Sequence, residues 1–124
     1  SRAAVIARIK DALRRRSGRV WSVTGGRGTA YGWITIDAPP ARRTAHHVQR
    51  PGTSGRPEDY EDVDTGAPNG HMTATDRAEL ATLLGLERVH PQGESIPSSH
   101  DHYREYLDRA EGRTPSVLAR PYWD

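Results

Sequence analysis

The chain has 124 residues, 34% of them hydrophobic, and no cysteine, which excludes disulfides, thiolate metal sites and a cysteine nucleophile. That length suits a single domain over 1–124 with one modest core, and no apolar run approaches the roughly 20 residues that span a bilayer. The net charge of +2 hides a division: residues 1–56 carry 12 basic residues against Asp11 and Asp37, a net of +10, while residues 57–124 carry a net of −8.

Residues 2–16 read as an amphipathic helix, with Val5, Ile6, Ile9 and Leu13 on one face and Gly18 as its stop. Arg14, Arg15 and Arg16 close its last turn, where the helix dipole favours cations. Two β-rich runs follow, at about 19–24 and 29–36, separated by Gly25-Gly26-Arg27-Gly28. They predict a hairpin with Arg27 at the tip. Alternation makes Ile34 and Ile36 the core pair and leaves Tyr31 and Trp33 nearer the surface. Pro39 and Pro40 end the second strand. Residues 40–70 are polar, rich in Pro and Gly and without period, so a long, functional or disordered loop is expected there.

A second helix is expected at about 73–84, capped by Thr73, with Leu80, Leu83 and Leu84 on its apolar face and Gly85 as its stop. A third is expected at about 99–111, with Ser98 or Ser99 as cap, Tyr103, Tyr106, Leu107 and Ala110 on its inner side, and Gly112 ending it. The tail carries Val117, Leu118, Tyr122 and Trp123 and is expected to dock on the core. The fold class is therefore α+β: helix, hairpin, long loop, two helices and a docked tail.

Three short stretches, "RIKDALRRR", "VWSVTGG" and "WITIDAPP", fall within residues 8–40. Together they resemble a small domain attached to large polyvalent proteins of phages and conjugative elements. Such domains end in Trp-Thr-Asp-Gly-Pro, where this chain has Ile36-Asp37-Ala38-Pro39-Pro40. The resemblance implies a mobile-element context and no particular activity. A bacterial or phage source is also expected from 17 arginines against Lys10 alone, as a GC-rich genome would encode. No signal-peptide pattern opens the sequence, so a cytoplasmic setting is expected.

The basic half, interleaved with aromatics, points first to a small non-enzymatic protein that contacts DNA or RNA. Arg14, Arg15, Arg16, Arg19, Arg27 and Arg43 would meet phosphates, and Tyr31 or Trp33 would stack on bases. The competing reading is that the two halves neutralise each other within the fold. An alternative function is a protein-interaction module or inhibitor. It would use the aromatic hairpin or the acidic loop 57–66, with Glu58, Asp59, Tyr60, Glu61, Asp62 and Asp64. Self-association of the oppositely charged halves is a further partner expectation.

The glycine-rich tip is no phosphate loop, because a strand follows it where such a loop opens a helix. None of the six histidines has metal-ligand spacing, so no metal or cofactor is expected. Asp62-Val63-Asp64 lacks the glutamate of a calcium loop, since Thr73 stands at the twelfth position. Ser95, Ser98 and Ser99 lie near His90 and His100 without any nucleophile motif, so a small hydrolase ranks last and no catalytic residue is assigned.

Overall fold

A computed structural model of the protein describes residues 1–30, 32–43, 47–49, 60–62 and 70–119. Helix α1 (Arg2–Ser17) starts where the Ser1 hydroxyl accepts the Ala4 N–H, and ends at Gly18, whose φ is +72°. Its buried face is Val5, Ile9, Ala12 and Leu13. These side chains pack on the antiparallel sheet formed by β1 (Ser22–Gly25), β2 (Trp33–Asp37) and β5 (Glu94–Pro97). Strand β2 is central, with Val23 opposite Ile36 on one side and Ile96 opposite Ile34 on the other. Ile34, Ile36 and Ile96 are fully buried, each worth roughly 1.5–3 kcal/mol of burial. Helices α2 (Ala74–Leu84) and α3 (His100–Ala110) complete the layer beside α1. A separate two-stranded ladder pairs β3 (His47–Gln49) with β4 (Tyr60–Asp62). An isolated bridge joins Arg43 to Met72, so the excursion between them leaves and returns at one place.

The α+β architecture follows the sequence reading, and Trp21, Val23, Ile34 and Ile36 face the core as alternation requires. Both C-terminal helices are capped as expected, by Thr73 accepting the Asp76 N–H and Ser99 accepting the His102 N–H.

Three details differ. The hairpin strands sit later than 19–24 and 29–36, and the connection runs from Gly26 to Gly32 through a short 3-10 turn, Gly28–Ala30. Arg19 and Val20 stay outside the strand because Arg19 is drawn to carboxylates on α2. Strand β5 was not expected. It has one apolar residue, Ile96, and ends at Pro97, a residue tolerated at a sheet edge because no donor is needed there. The stretch 40–70 contains β3 and β4, and its other expected loop residues, apart from Pro40–Arg43 and Gly70, lie outside the described residues.

The tail is attached by polar bonds. Ser116 donates from N–H and Oγ to Asp108 (2.9 and 3.0 Å), and the Ala119 N–H reaches Glu105 at 2.8 Å. Leu118, expected to dock, is 72% exposed, and Tyr122 and Trp123 lie outside the described residues.

Gly93 leads into β5 at φ +108°, and a Cβ there would stand 2.6 Å from the Ile36 carbonyl oxygen. Gly18 has a comparable backbone but open space around it. Gly93→Ala is therefore expected to lower unfolding free energy by about 3 kcal/mol or more, and Gly18→Ala by only about 1 kcal/mol. Urea denaturation of both variants checks the order.

Candidate functional site: a cleft along the end strand of the sheet

The arginines singled out in the sequence divide into two groups. The first is spent on the fold. Arg19 donates to Asp76 and Glu79, both at 2.8 Å. Arg16 Nη1 donates to the carbonyls of Leu83, Arg109 and Ala110 at 2.9, 3.2 and 2.7 Å, satisfying the open C-terminal ends of α2 and α3. Arg43 binds the Ala38 carbonyl (3.0 Å) and the buried Asp37 carboxylate (2.9 Å). Arg42, just before it, lies 4.5 Å from the Trp21 ring centroid and 3.4 Å from Asp76.

The second group is at the surface. Arg15 pairs with Asp11 one turn away, an exposed contact of little worth. Arg14 and Arg27 are exposed, as is Lys10, and the three make no ion pair among the described residues. Tyr31, Glu58, Asp59 and Asp64 lie outside the described residues. Tyr60, Glu61 and Asp62 contribute strand β4.

Trp33, by contrast, lines a cleft of about 860 Å³. It belongs to the face of β2 opposite Ile34 and Ile36, and is half-buried. Thr35 and its register partner Ser95 line the same cleft, together with His90, Gln92, Glu94, His102, Glu105, Tyr106 and Ala119. The cleft follows β5, which is the end strand of its sheet. The Ser98 N–H donates to the Gly32 carbonyl at 2.6 Å. Antiparallel alternation then turns the main-chain N–H and C=O of Ile96 and Glu94 toward β2, and those of Ser95 away from it.

Local bonds fix several of these groups. His90 Nδ1 accepts the Gln92 N–H at 3.0 Å, which leaves the proton of its neutral ring on Nε2. His102 Nδ1 lies 2.6 Å from the Ser99 hydroxyl. Glu105 is buried with both oxygens used, one by Arg109 Nε (2.9 Å) and one by the Ala119 N–H. The Tyr106 hydroxyl donates to Glu94. Burial raises the Glu94 carboxyl above its ordinary 4.5, against the lowering effects of the Tyr106 hydrogen bond and Arg109. Burial also raises the Tyr106 phenol, and the Glu94 charge adds to this.

Among the described residues no group of three or more His, Asp or Glu is placed to hold a metal ion. No helix among them is long and apolar enough to cross a membrane. No protein-family model matches the chain, and no curated protein or solved structure matches it.

Of the cleft's lining, the sequence had singled out only Trp33 as a contact residue. The available signal was Pro91-Gln92-Gly93 followed by Glu94-Ser95-Ile96-Pro97, a turn leading into a short edge strand that ends in proline.

Two expectations follow. Asp76 is buried and serves both Arg19 and Arg42. Asp76→Ala should cost about 3–5 kcal/mol in denaturant unfolding, because it strands buried charge, while Arg14→Ala should change stability by less than about 0.5 kcal/mol. For Glu94, the folded chain binds more protons than the unfolded chain between pH 4.5 and the raised folded-state value. Stability therefore falls as pH rises through that window. Glu94→Gln should remove this part of the fall, seen as a flatter profile of thermal midpoint against pH. Superimposable profiles would contradict the assignment.

Proposed function

We propose that the protein is a binding module that holds a small polar ligand in the cleft along β5, with Trp33 as the wall the ligand lies against. The observation that carries this reading is the contrast between two tryptophans. Trp21 is fully buried and completes the core, whereas Trp33 stays half-buried on the opposite face, among converging polar side chains. A concave site with an aromatic wall, several oriented hydrogen-bonding groups and a half-buried, shifted carboxyl is the usual form of a ligand pocket. A volume near 860 Å³ leaves room for one or two ring systems. The resemblance carried by residues 8–40 supports a bacterial or mobile-element setting, and we place the module in the cytoplasm.

A second reading, nucleic-acid contact, is favoured by the exposure of Lys10, Arg14 and Arg27. The interior bonds of Arg16, Arg19 and Arg43 leave it a smaller set of cations than the sequence suggests.

Amide-correlation NMR with a set of small ring compounds tests the first reading. Hits should shift the Trp33 indole and the amides of Thr35, Ser95 and His102 together, and hits confined to other surfaces would contradict it. Fluorescence anisotropy with a labelled oligonucleotide tests the second. Binding that weakens steeply as salt is raised, and weakens again in Arg14→Ala and Arg27→Ala, would support it.

A further inference from the structure

Another concavity shares no residue with the cleft along β5. It lies where the C-terminal ends of α2 and α3 meet the last turn of α1, and it encloses about 360 Å³. Its polar side chains are Arg16, Thr82, Arg109, Arg113 and Thr114, and among the described residues no Asp or Glu lines it.

The three guanidiniums are held by bonds made elsewhere. Arg16 ties the helix ends through Nη1 alone. Its guanidinium lies over Gly112, where a Cβ would stand 2.9 Å from Nε. Arg109 gives Nη1 to the Leu84 and Gly85 carbonyls and Nε to Glu105. Arg113 gives Nη1 to Glu111 and Nη2 to Asp108. Donors fixed in this way cost little further ordering when a ligand arrives.

These bonds leave an uneven inventory. The Leu83, Leu84 and Gly85 carbonyls each already accept a guanidinium N–H. Arg16 Nε and Nη2, Arg109 Nη2 and Arg113 Nε donate to nothing among the described residues, and the Thr82 and Thr114 hydroxyls are equally unspent. A ligand that accepts hydrogen bonds and carries negative charge matches this surplus of donors. The local charge agrees. Arg8, Arg16, Arg109 and Arg113 stand against Glu105, Asp108 and Glu111, and Arg16 is the cation with no carboxylate partner among the described residues. The partial negative charge of the two helix ends is met by the N–H groups that Arg16 and Arg109 place on their carbonyls.

The donors come from α1, α2, α3 and the turn after α3. A carboxylate has two coplanar oxygens, which a single guanidinium fork satisfies. A terminal phosphate has three oxygens pointing apart, and so can use donors from several segments at once. We propose that this pocket binds the terminal phosphate of a small phosphomonoester through Arg16, Arg109, Arg113 and the hydroxyls of Thr82 and Thr114.

Amide-correlation NMR of the full chain, extended to the arginine Nε–H signals, tests this with four probes. They are inorganic phosphate, glycerol phosphate, acetate, and an oligonucleotide whose phosphates are all internal diesters. The first two should shift the Arg16 and Arg113 Nε–H signals and the Thr114 amide together, and saturate. Acetate and the oligonucleotide should bind there roughly tenfold more weakly or not at all. Arg16→Lys keeps the charge and loses the planar fork, and should weaken glycerol phosphate by roughly tenfold. Thr114→Ala removes a hydroxyl that no bond of the fold uses, and should weaken it by roughly threefold. Arg14→Ala should leave it unchanged. Acetate or the oligonucleotide binding there as tightly as the monoesters would overturn the proposal. So would the absence of shifts in these signals, or an unchanged affinity in either folded variant, Arg16→Lys or Thr114→Ala.

Discussion

One carboxylate organises the part of the fold where the two charged halves meet. Asp76 sits in the first turn of α2, almost fully buried, with its own N–H capped by Thr73. Its Oδ1 receives Arg19, which follows α1, and its Oδ2 faces Arg42, which follows β2. Three distant segments therefore converge on one charge. A buried aspartate without these partners would carry an uncompensated desolvation cost, so the pairing fixes where α2 can start relative to α1 and the sheet. Arg42 also covers Trp21, whose indole N–H donates to Ser17 at 3.1 Å. A guanidinium over an indole face adds electrostatic attraction, which strengthens as water is excluded. Arg42 Nε and Nη2 make no hydrogen bond among the described residues, so the ring and the Asp76 charge are what hold it.

This use of arginine recasts the charge division. Arg16 joins the C-terminal ends of α2 and α3, and Arg109 donates to the Leu84 and Gly85 carbonyls at 3.0 and 3.1 Å. Arg8 reaches Glu111 at 3.2 Å, again from the basic half to the acidic one. Helix C-termini carry partial negative charge and open carbonyls, and a planar guanidinium satisfies several at once. Much of the positive charge in residues 1–56 is thus matched inside the molecule. The cleft along β5 lies elsewhere, and its lining combines uncharged side chains with Glu94 and the Arg109-paired Glu105.

The sequence was informative where one local rule acts alone. Helix α1 has a clean apolar stripe and a glycine stop. The caps at Thr73 and Ser99 are single-residue signals. The facing of Ile34 and Ile36 follows from strict alternation against a helix that must be covered. It was less informative where a distant partner decides. Nothing near Arg19 shows that α2 will supply its carboxylates, so Arg19 and Val20 read as strand. Strand β5 is too short and too polar to show a period, and it exists because β2 has an edge for Ile96 to fill. The cleft depends on β5, so most of its lining was hidden for the same reason. Trp33 was visible as a surface aromatic, but its neighbours come from sixty residues further along the chain.

A double-mutant cycle on Arg19 and Asp76 tests most directly whether internal pairing accounts for the basic half. Unfolding free energies of the parent, Arg19→Ala, Asp76→Ala and the double variant would be compared in denaturant. The account predicts a coupling of about 1.5 kcal/mol or more between the two sites, with the double variant far less destabilised than the sum of the singles. Additivity within about 0.5 kcal/mol would show that the pair contributes nothing specific, and would return Arg19 to the set of cations available to an outside partner.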